Sequence, residues 1–116
     1  MANKHEVETF LKEFRVRMEI FGILFFDDRG KNQQALHELE ITPIQRKEII
    51  KATKAVDYSH GPLAEKMHDL LFMWVFGKKV KKREVYIKIS MGVENSKAVC
   101  ISFHIAEYPL NYPFKK

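Results

Sequence analysis

Two stretches decide the fold: Glu84-Val85-Tyr86-Ile87-Lys88-Ile89-Ser90-Met91 and Ala98-Val99-Cys100-Ile101-Ser102-Phe103-His104-Ile105. In the first, Val85, Ile87, Ile89 and Met91 alternate with polar neighbours; in the second, Val99, Ile101, Phe103 and Ile105 do the same. Period-two alternation is what a half-buried strand requires, because successive side chains point to opposite faces. Gly92–Lys97, with Glu94-Asn95-Ser96 inside it, suits a hairpin connection. Opposed residues of an antiparallel pair share a face, so even positions must oppose even positions. Paired numbers summing to 190 set Tyr86 against His104 and Lys88 against Ser102, while a sum of 192 sets Lys88 against His104. Either register gathers a phenol, an ammonium, a hydroxyl and an imidazole on one face. Cys100 shares that face by parity, but a four-residue offset along one strand leaves it about 13 Å from His104 at about 3.3 Å per residue. It reads as a small filler.

Upstream, Leu70–Phe76 is an apolar run that suits a buried strand, with Trp74 and Phe76 as core residues rather than base-stacking platforms. Gly77-Lys78-Lys79-Val80-Lys81-Lys82-Arg83 then reads as a basic hairpin tip, where Lys78, Lys79, Lys81, Lys82 and Arg83 suit phosphate contacts. The same residues also suit a solvated turn. Residues 57–69 read as a loop, because Ser59-His60-Gly61-Pro62 is turn chemistry and no apolar period runs through them. His60, His68 and Asp69 match no metal-ligand spacing.

The N-terminal half reads as helical. Val7, Phe10, Leu11, Phe14, Met18 and Phe21 form one apolar stripe at helical spacing, and Gly22 stands where a terminating glycine belongs. Ile23–Phe26 is a short extended segment closed by the turn-like Asp27-Asp28-Arg29-Gly30. Asn32 suits the cap of a short helix burying Ala35, Leu36 and Leu39. Thr42-Pro43-Ile44-Gln45 is a capping-box start, predicting a third helix to about Ala55. The expectation is a single α+β domain over residues 1–116. It has a helical half at 1–56, a loop at 57–69, a sheet half at 70–105 carrying an antiparallel sheet, and an extended tail at 106–116. The tail, rich in Tyr-Pro steps, suits packing across a sheet edge, lining an RNA groove or docking a protein.

Composition narrows the function. The chain has 116 residues and a net charge of +5. Residues 77–116 carry nine Lys/Arg against three Asp/Glu, whereas residues 1–76 carry eleven against twelve. A basic C-terminal part favours a polyanionic partner such as RNA. It also suits a sheet edge that resists aggregation. The longest apolar run is too short to span a bilayer, no apolar leader opens the sequence, and the single cysteine suits a reducing compartment, so the expected location is the cytosol with no membrane partner. No cofactor motif and no metal-binding motif is present in the sequence.

RNA cleavage without a metal needs a base for the 2′-hydroxyl proton, an acid for the leaving 5′-oxygen, and cations or donors for the crowded phosphorane. His104, Tyr86 and Lys88 make a sufficient set. Asp57-Tyr58 before a polar loop, then Trp74, Val85-Tyr86-Ile87-Lys88-Ile89 and Ile101-Ser102-Phe103 resemble the motility quorum-sensing regulator (MqsR) toxin family, over about residues 42–104. The resemblance implies a RelE-like fold and a metal-independent messenger-RNA endoribonuclease neutralised by a protein antitoxin. It sets Tyr86 on a catalytic position, His104 in the place of a family lysine and His60 near another. Val75 stands where that family carries a catalytic glutamine, and Ile105–Lys116 extend past the family's usual end. The expected roles are His104 as general acid or base assisted by His60, Tyr86 positioning the phosphate, and Lys88 stabilising its charge. A non-catalytic RNA-binding module on the same surface is the alternative.

Overall fold

A computed structural model describes residues 1–26, 30–64 and 72–115. Asp27-Asp28-Arg29 of the expected turn, residues 65–69 of the expected loop (His68 and Asp69 included) and Leu70-Leu71 of the expected third-last strand lie outside the described residues. The elements run α1 (Lys4–Phe21), β1 (Ile23–Phe25), α2 (Lys31–Leu39), α3 (Pro43–Lys51), a 3-10 turn (Ala55–Asp57), β2 (Tyr58–Leu63), β3 (Met73–Val80), β4 (Arg83–Ser90) and β5 (Ala98–Ile105). This is an α+β domain, with helices first and a five-stranded sheet in the order β1-β5-β4-β3-β2.

The apolar stripe of α1 does what its spacing implies. Val7, Phe10, Leu11, Phe14 and Met18 are buried, while Phe21 at the last turn is exposed. Asn3 and Glu6 form a reciprocal capping box at its start, and Gly22, at φ 85°, ends it with its N–H bonded to Met18 O. Thr42 and Gln45 make the expected capping box of α3, which stops at Lys51 rather than Ala55. The stop is local: Ala52 N–H closes the last turn on Glu48 O, and Thr53 folds its hydroxyl back onto Ile49 O. Asn32 does not cap α2, whose N-cap is Gly30 in the left-handed region, φ 76°. Its amide instead clamps the open edge of β5, accepting from Phe103 N–H at 2.8 Å and donating to Phe26 O at 2.6 Å and Ile101 O at 3.3 Å. A side-chain amide can take the place of a missing neighbouring strand, and this one satisfies backbone groups that burial would otherwise leave unpaired.

The sheet is mixed rather than wholly antiparallel, since β1 runs parallel to β5 through Ile23↔Ala98 and Phe25↔Cys100. A three-residue strand carries no pattern that reveals direction. Backbone bonds from Ala98 N–H to Gly22 O and from Phe26 N–H to Cys100 O fix it. A second correction concerns residues 57–69. Tyr58–Leu63 pairs antiparallel with β3 as an edge strand, interrupted by two irregularities. Proline is tolerated there because an edge strand has no outward partner needing its N–H. Gly61 is required: at φ 125°, a Cβ would come within 3.0 Å of Met73 O and 3.1 Å of Trp74 Cα.

Trp74, Phe76, Val85, Ile87, Ile89 and Phe103 face the helices and close the core. Phe10 of α1 stacks on Trp74 with ring centroids 4.5 Å apart. Burying aromatic rings of this size supplies much of the drive to fold. The other sheet face carries the polar side chains, and the tail crosses it. Leu110 and Tyr112 lie directly over Gly77, where any Cβ would overlap them. Phe114 then reaches the β2 edge and stacks on Tyr58 at 5.3 Å.

Candidate functional site

Strand register sets the site. Of the two parity-allowed pairings, the structure adopts the sum of 190, with Tyr86 opposite His104 and Lys88 opposite Ser102. The Tyr86 and His104 rings stand face to face, centroids 5.1 Å apart and planes 14° from parallel. Lys88 Nζ lies 5.9 Å from the Tyr86 ring centroid. All four side chains are partly buried, so they are shielded yet reachable.

Two features tune this face. His104 Nδ1 lies 3.0 Å from Ile105 O. A carbonyl can only accept, so this contact favours the tautomer with hydrogen on Nδ1 and leaves the Nε2 lone pair available as a base. Burial raises the Tyr86 hydroxyl above the ordinary phenol value of 10.0, which keeps it a neutral donor. Beside His104, Glu107 is held below its usual range by its hydrogen bond and ion pair with Lys31, 2.5 Å away, and to a lesser extent by the field of His104.

The remaining expected residues divide. His60 is exposed on the same face, in the row His60–Val75–Lys88–Ser102, with its Nδ1 3.2 Å from Ser59 Oγ. Three strand spacings of about 4.8 Å separate β2 from β5, so His60 stands about 14 Å from the strand of His104. It does not share one phosphate with His104. Val75, between them, is fully buried. Cys100 does not share the face of His104: a bulge at Ile101 sets Cys100 opposite Ile89 and turns its buried side chain toward the core. Trp74 and Phe76 belong to the core.

The basic tip is narrower than its sequence implies. Strands β3 and β4 run on to Val80 and from Arg83, leaving only Lys81 and Lys82 as a two-residue turn with φ 49° and 71°. Lys78 lies on the core-facing side, donates to Ala52 O at 3.2 Å and sits 3.7 Å from the Asp57 carboxylate. Lys81 donates to Glu40 O at 2.9 Å. Lys79, Lys82 and Arg83 are exposed.

Sequence reasoning missed Glu84, which anchors the tail by accepting from Tyr112 Oη at 2.6 Å and from Leu110 N–H at 3.4 Å. It also missed a cavity of about 270 Å³ beside His104, lined chiefly by Lys31, Gln34, Glu38, Ile105 and Glu107. Only the i, i+4 spacing of Gln34 and Glu38 could have put those two on one helical face. Among the described residues, no group of three or more His, Cys, Asp or Glu side chains is arranged to hold a metal, and no helix is long and apolar enough to cross a membrane.

The fold and the site together define an α+β domain with an imidazole–phenol–ammonium row on the open face of its sheet. No family model, curated protein or solved structure matches the chain.

Proposed function

We propose that this face is the active surface of a metal-independent endoribonuclease, the toxin of a toxin–antitoxin pair, acting in the cytosol on messenger RNA. The observation that carries the reading is the stacked Tyr86–His104 pair with Lys88 beside it. The resemblance to the MqsR toxins and their RelE-like fold supports it through Tyr86 and the strand around it. In the reaction, His104 Nε2 takes the proton of a 2′-hydroxyl, whose oxygen attacks the adjacent phosphorus. The bond to the 5′-oxygen breaks and leaves a 2′,3′-cyclic phosphate. Tyr86 donates a hydrogen bond to the phosphoryl oxygens, and the Lys88 ammonium offsets their developing charge. The imidazolium so formed returns its proton to the departing 5′-oxygen, which balances the step. Lys79, Lys82 and Arg83 contact flanking phosphates, and His60 serves a neighbouring nucleotide rather than the scissile one.

The test incubates purified protein with a synthetic messenger in EDTA, beside His104→Ala and Tyr86→Phe variants. Wild type is expected to cleave, His104→Ala to lose about 10²–10⁴-fold in rate, and a 2′-deoxy substitution at the cleaved nucleotide to block the cut. Tight RNA binding without cleavage by wild type would instead establish the non-catalytic RNA-binding module. Cleavage untouched by either substitution would remove these residues from the site. If a small reading frame adjoins the gene, its co-expression is expected to relieve the growth arrest that this chain causes, which would mark its product as the antitoxin.

A further inference from the structure

Lys79 and Glu84 are directly opposed on β3 and β4, so their side chains share the open face with Cβ atoms about 4.5–5.5 Å apart. Opposite charges in that position ordinarily attract one another across the strands. Here, among the described residues, no ion pair joins them. The Glu84 carboxylate turns to the tail instead. Its Oε2 accepts from Tyr112 Oη at 2.6 Å, and its Oε1 accepts from Leu110 N–H at 3.4 Å. Solvent decides between the two partners. An exposed ion pair contributes little, because water screens it and two long side chains must be held in one geometry. A hydroxyl donating to a half-buried carboxylate makes the stronger, charge-assisted bond. Lys79 is left exposed at the hairpin end.

The seat of the tail makes this arrangement depend on one glycine. A Cβ on Gly77 would overlap Tyr112 Oη and Leu110 Cδ1, and these are the two residues that hold Glu84. Further along, Phe114 pins the tail by stacking on Tyr58, and Lys115 Nζ lies 4.6 Å from the Tyr112 ring centroid. We propose that the docked tail controls anion binding at the β3–β4 hairpin: by engaging Glu84 it keeps the Lys79 ammonium available to a phosphate of single-stranded nucleic acid. When the tail lifts, Glu84 is released to its cross-strand partner, and Lys79 is withdrawn from the nucleic acid. Tail docking and phosphate binding are thereby coupled through one carboxylate, and each favours the other. The coupling rests on the phosphate contacts proposed for the hairpin and needs no cleavage.

The experiment follows the fluorescence anisotropy of a labelled oligodeoxyuridine, which lacks the 2′-hydroxyl and is not cut, with the full chain over a salt series. Lys79→Ala is expected to flatten the slope of log affinity against log salt by about 0.7. Gly77→Ala displaces the tail and is expected to flatten it equally, about a fivefold loss of affinity at about 0.1 M salt relative to about 1 M. In the Gly77→Ala background, Lys79→Ala is expected to add nothing further, and Glu84→Gln to restore the wild-type slope. With the tail in place, Glu84→Gln alone is expected to change the slope little. Circular dichroism reports the fold of each variant. Where Gly77→Ala does not fold, Tyr112→Phe carries the same crosses, because it removes only the hydroxyl that holds Glu84. A slope that Gly77→Ala leaves unchanged or steepens overturns the coupling, since the tail would then be a bystander or a cover. Flattening that Glu84→Gln does not reverse also overturns it and assigns the lost contact to Lys115 of the tail. An equal rise from Glu84→Gln with the tail docked overturns it as well. If Lys79→Ala leaves the wild-type slope unchanged, the hairpin contacts themselves fail and the coupling falls with them. Messenger cleavage is scored separately, so a protein that shows the coupling and cuts no RNA loses only the nuclease reading.

Discussion

The two faces of the sheet are made by the same strands and have opposite requirements. Phe103 and His104 are neighbours on β5, yet Phe103 is fully buried against the helices while His104 stacks on Tyr86 in the open row. On the core face, each side chain is fixed by volume, and chemistry matters little beyond being apolar. On the other face, chemistry is specific and coverage is selective: Gly77 has no side chain, so that Leu110 and Tyr112 can lie against the sheet beside Tyr86. The tail thereby walls one side of the row, and His104 and its cavity bound the other. Apolar packing and the polar cluster are thus separated by one-residue steps along a strand.

The sharpest way to break that separation is to substitute the two neighbours. Phe103→Ala is expected to cost about 3–5 kcal/mol of stability, because its cavity cannot refill within a packed core. His104→Ala is expected to lower RNA cleavage about 10²–10⁴-fold with a change in unfolding midpoint close to zero. Denaturant unfolding and a cleavage assay on the same preparations check both. A His104→Ala variant as unstable as Phe103→Ala would show that the open face is structural.

This division is legible in part in the amino-acid sequence alone. Alternation in 84–91 and 98–105 placed Val85, Ile87, Ile89 and Phe103 in the core and gathered Tyr86, Lys88, Ser102 and His104, because period two survives whatever the partners. It left the register open between two sums, since parity alone cannot choose between them. It also failed at Cys100, because a bulge shifts parity and Ile101 carries no residue-type signal for one. The edge strand β2 was hidden because Gly61 and Pro62 are turn residues by propensity, and pairing with β3 overrode that. Lys78 looked like its neighbours in composition. Its partners, Ala52 O and Asp57, come from the helical half and are set by tertiary packing. The cavity at Gln34 and Glu38 needs α2 laid along β5, which no local pattern states.

The tail offers a sharper probe of how the open face is covered. Gly77→Ala puts a methyl where Leu110 and Tyr112 sit, and is expected to lift the tail at a cost of about 1–3 kcal/mol, the usual range for overpacking. Tyr112→Phe removes the hydrogen bond to Glu84 and is expected to cost less, about 1 kcal/mol, because the hydroxyl is partly exposed. Both are read by unfolding, with limited proteolysis reporting the tail. A pH dependence accompanies them. Burial foremost, and then the bond to Glu84, hold the Tyr112 hydroxyl well above the ordinary value of 10.0. A raised folded-state value means the contribution to stability is complete below about 10 and falls as pH rises through the folded value. Alkaline ultraviolet titration is expected to show Tyr112 ionising late. The late step is expected to vanish in Tyr112→Phe.

The smallest effect separates the five cations of the β3–β4 hairpin. Lys79 and Lys82 are exposed, while Lys78 and Lys81 donate to Ala52 O and Glu40 O. Each ammonium that contacts a single-stranded phosphate adds about 0.7 to the slope of log affinity against log salt. Lys79→Ala and Lys82→Ala are therefore expected to flatten that slope by about 0.7 each, with affinity falling evenly across sequences. Lys78→Ala is expected to leave the slope nearly unchanged and to lower stability slightly, because its partners are a backbone carbonyl and the carboxylate of Asp57. Fluorescence anisotropy on a short RNA over a salt series measures both. Equal flattening by Lys78 and Lys79 would mean that the core-facing lysine swings out to the RNA, and the boundary between the two faces would then not hold at the hairpin end.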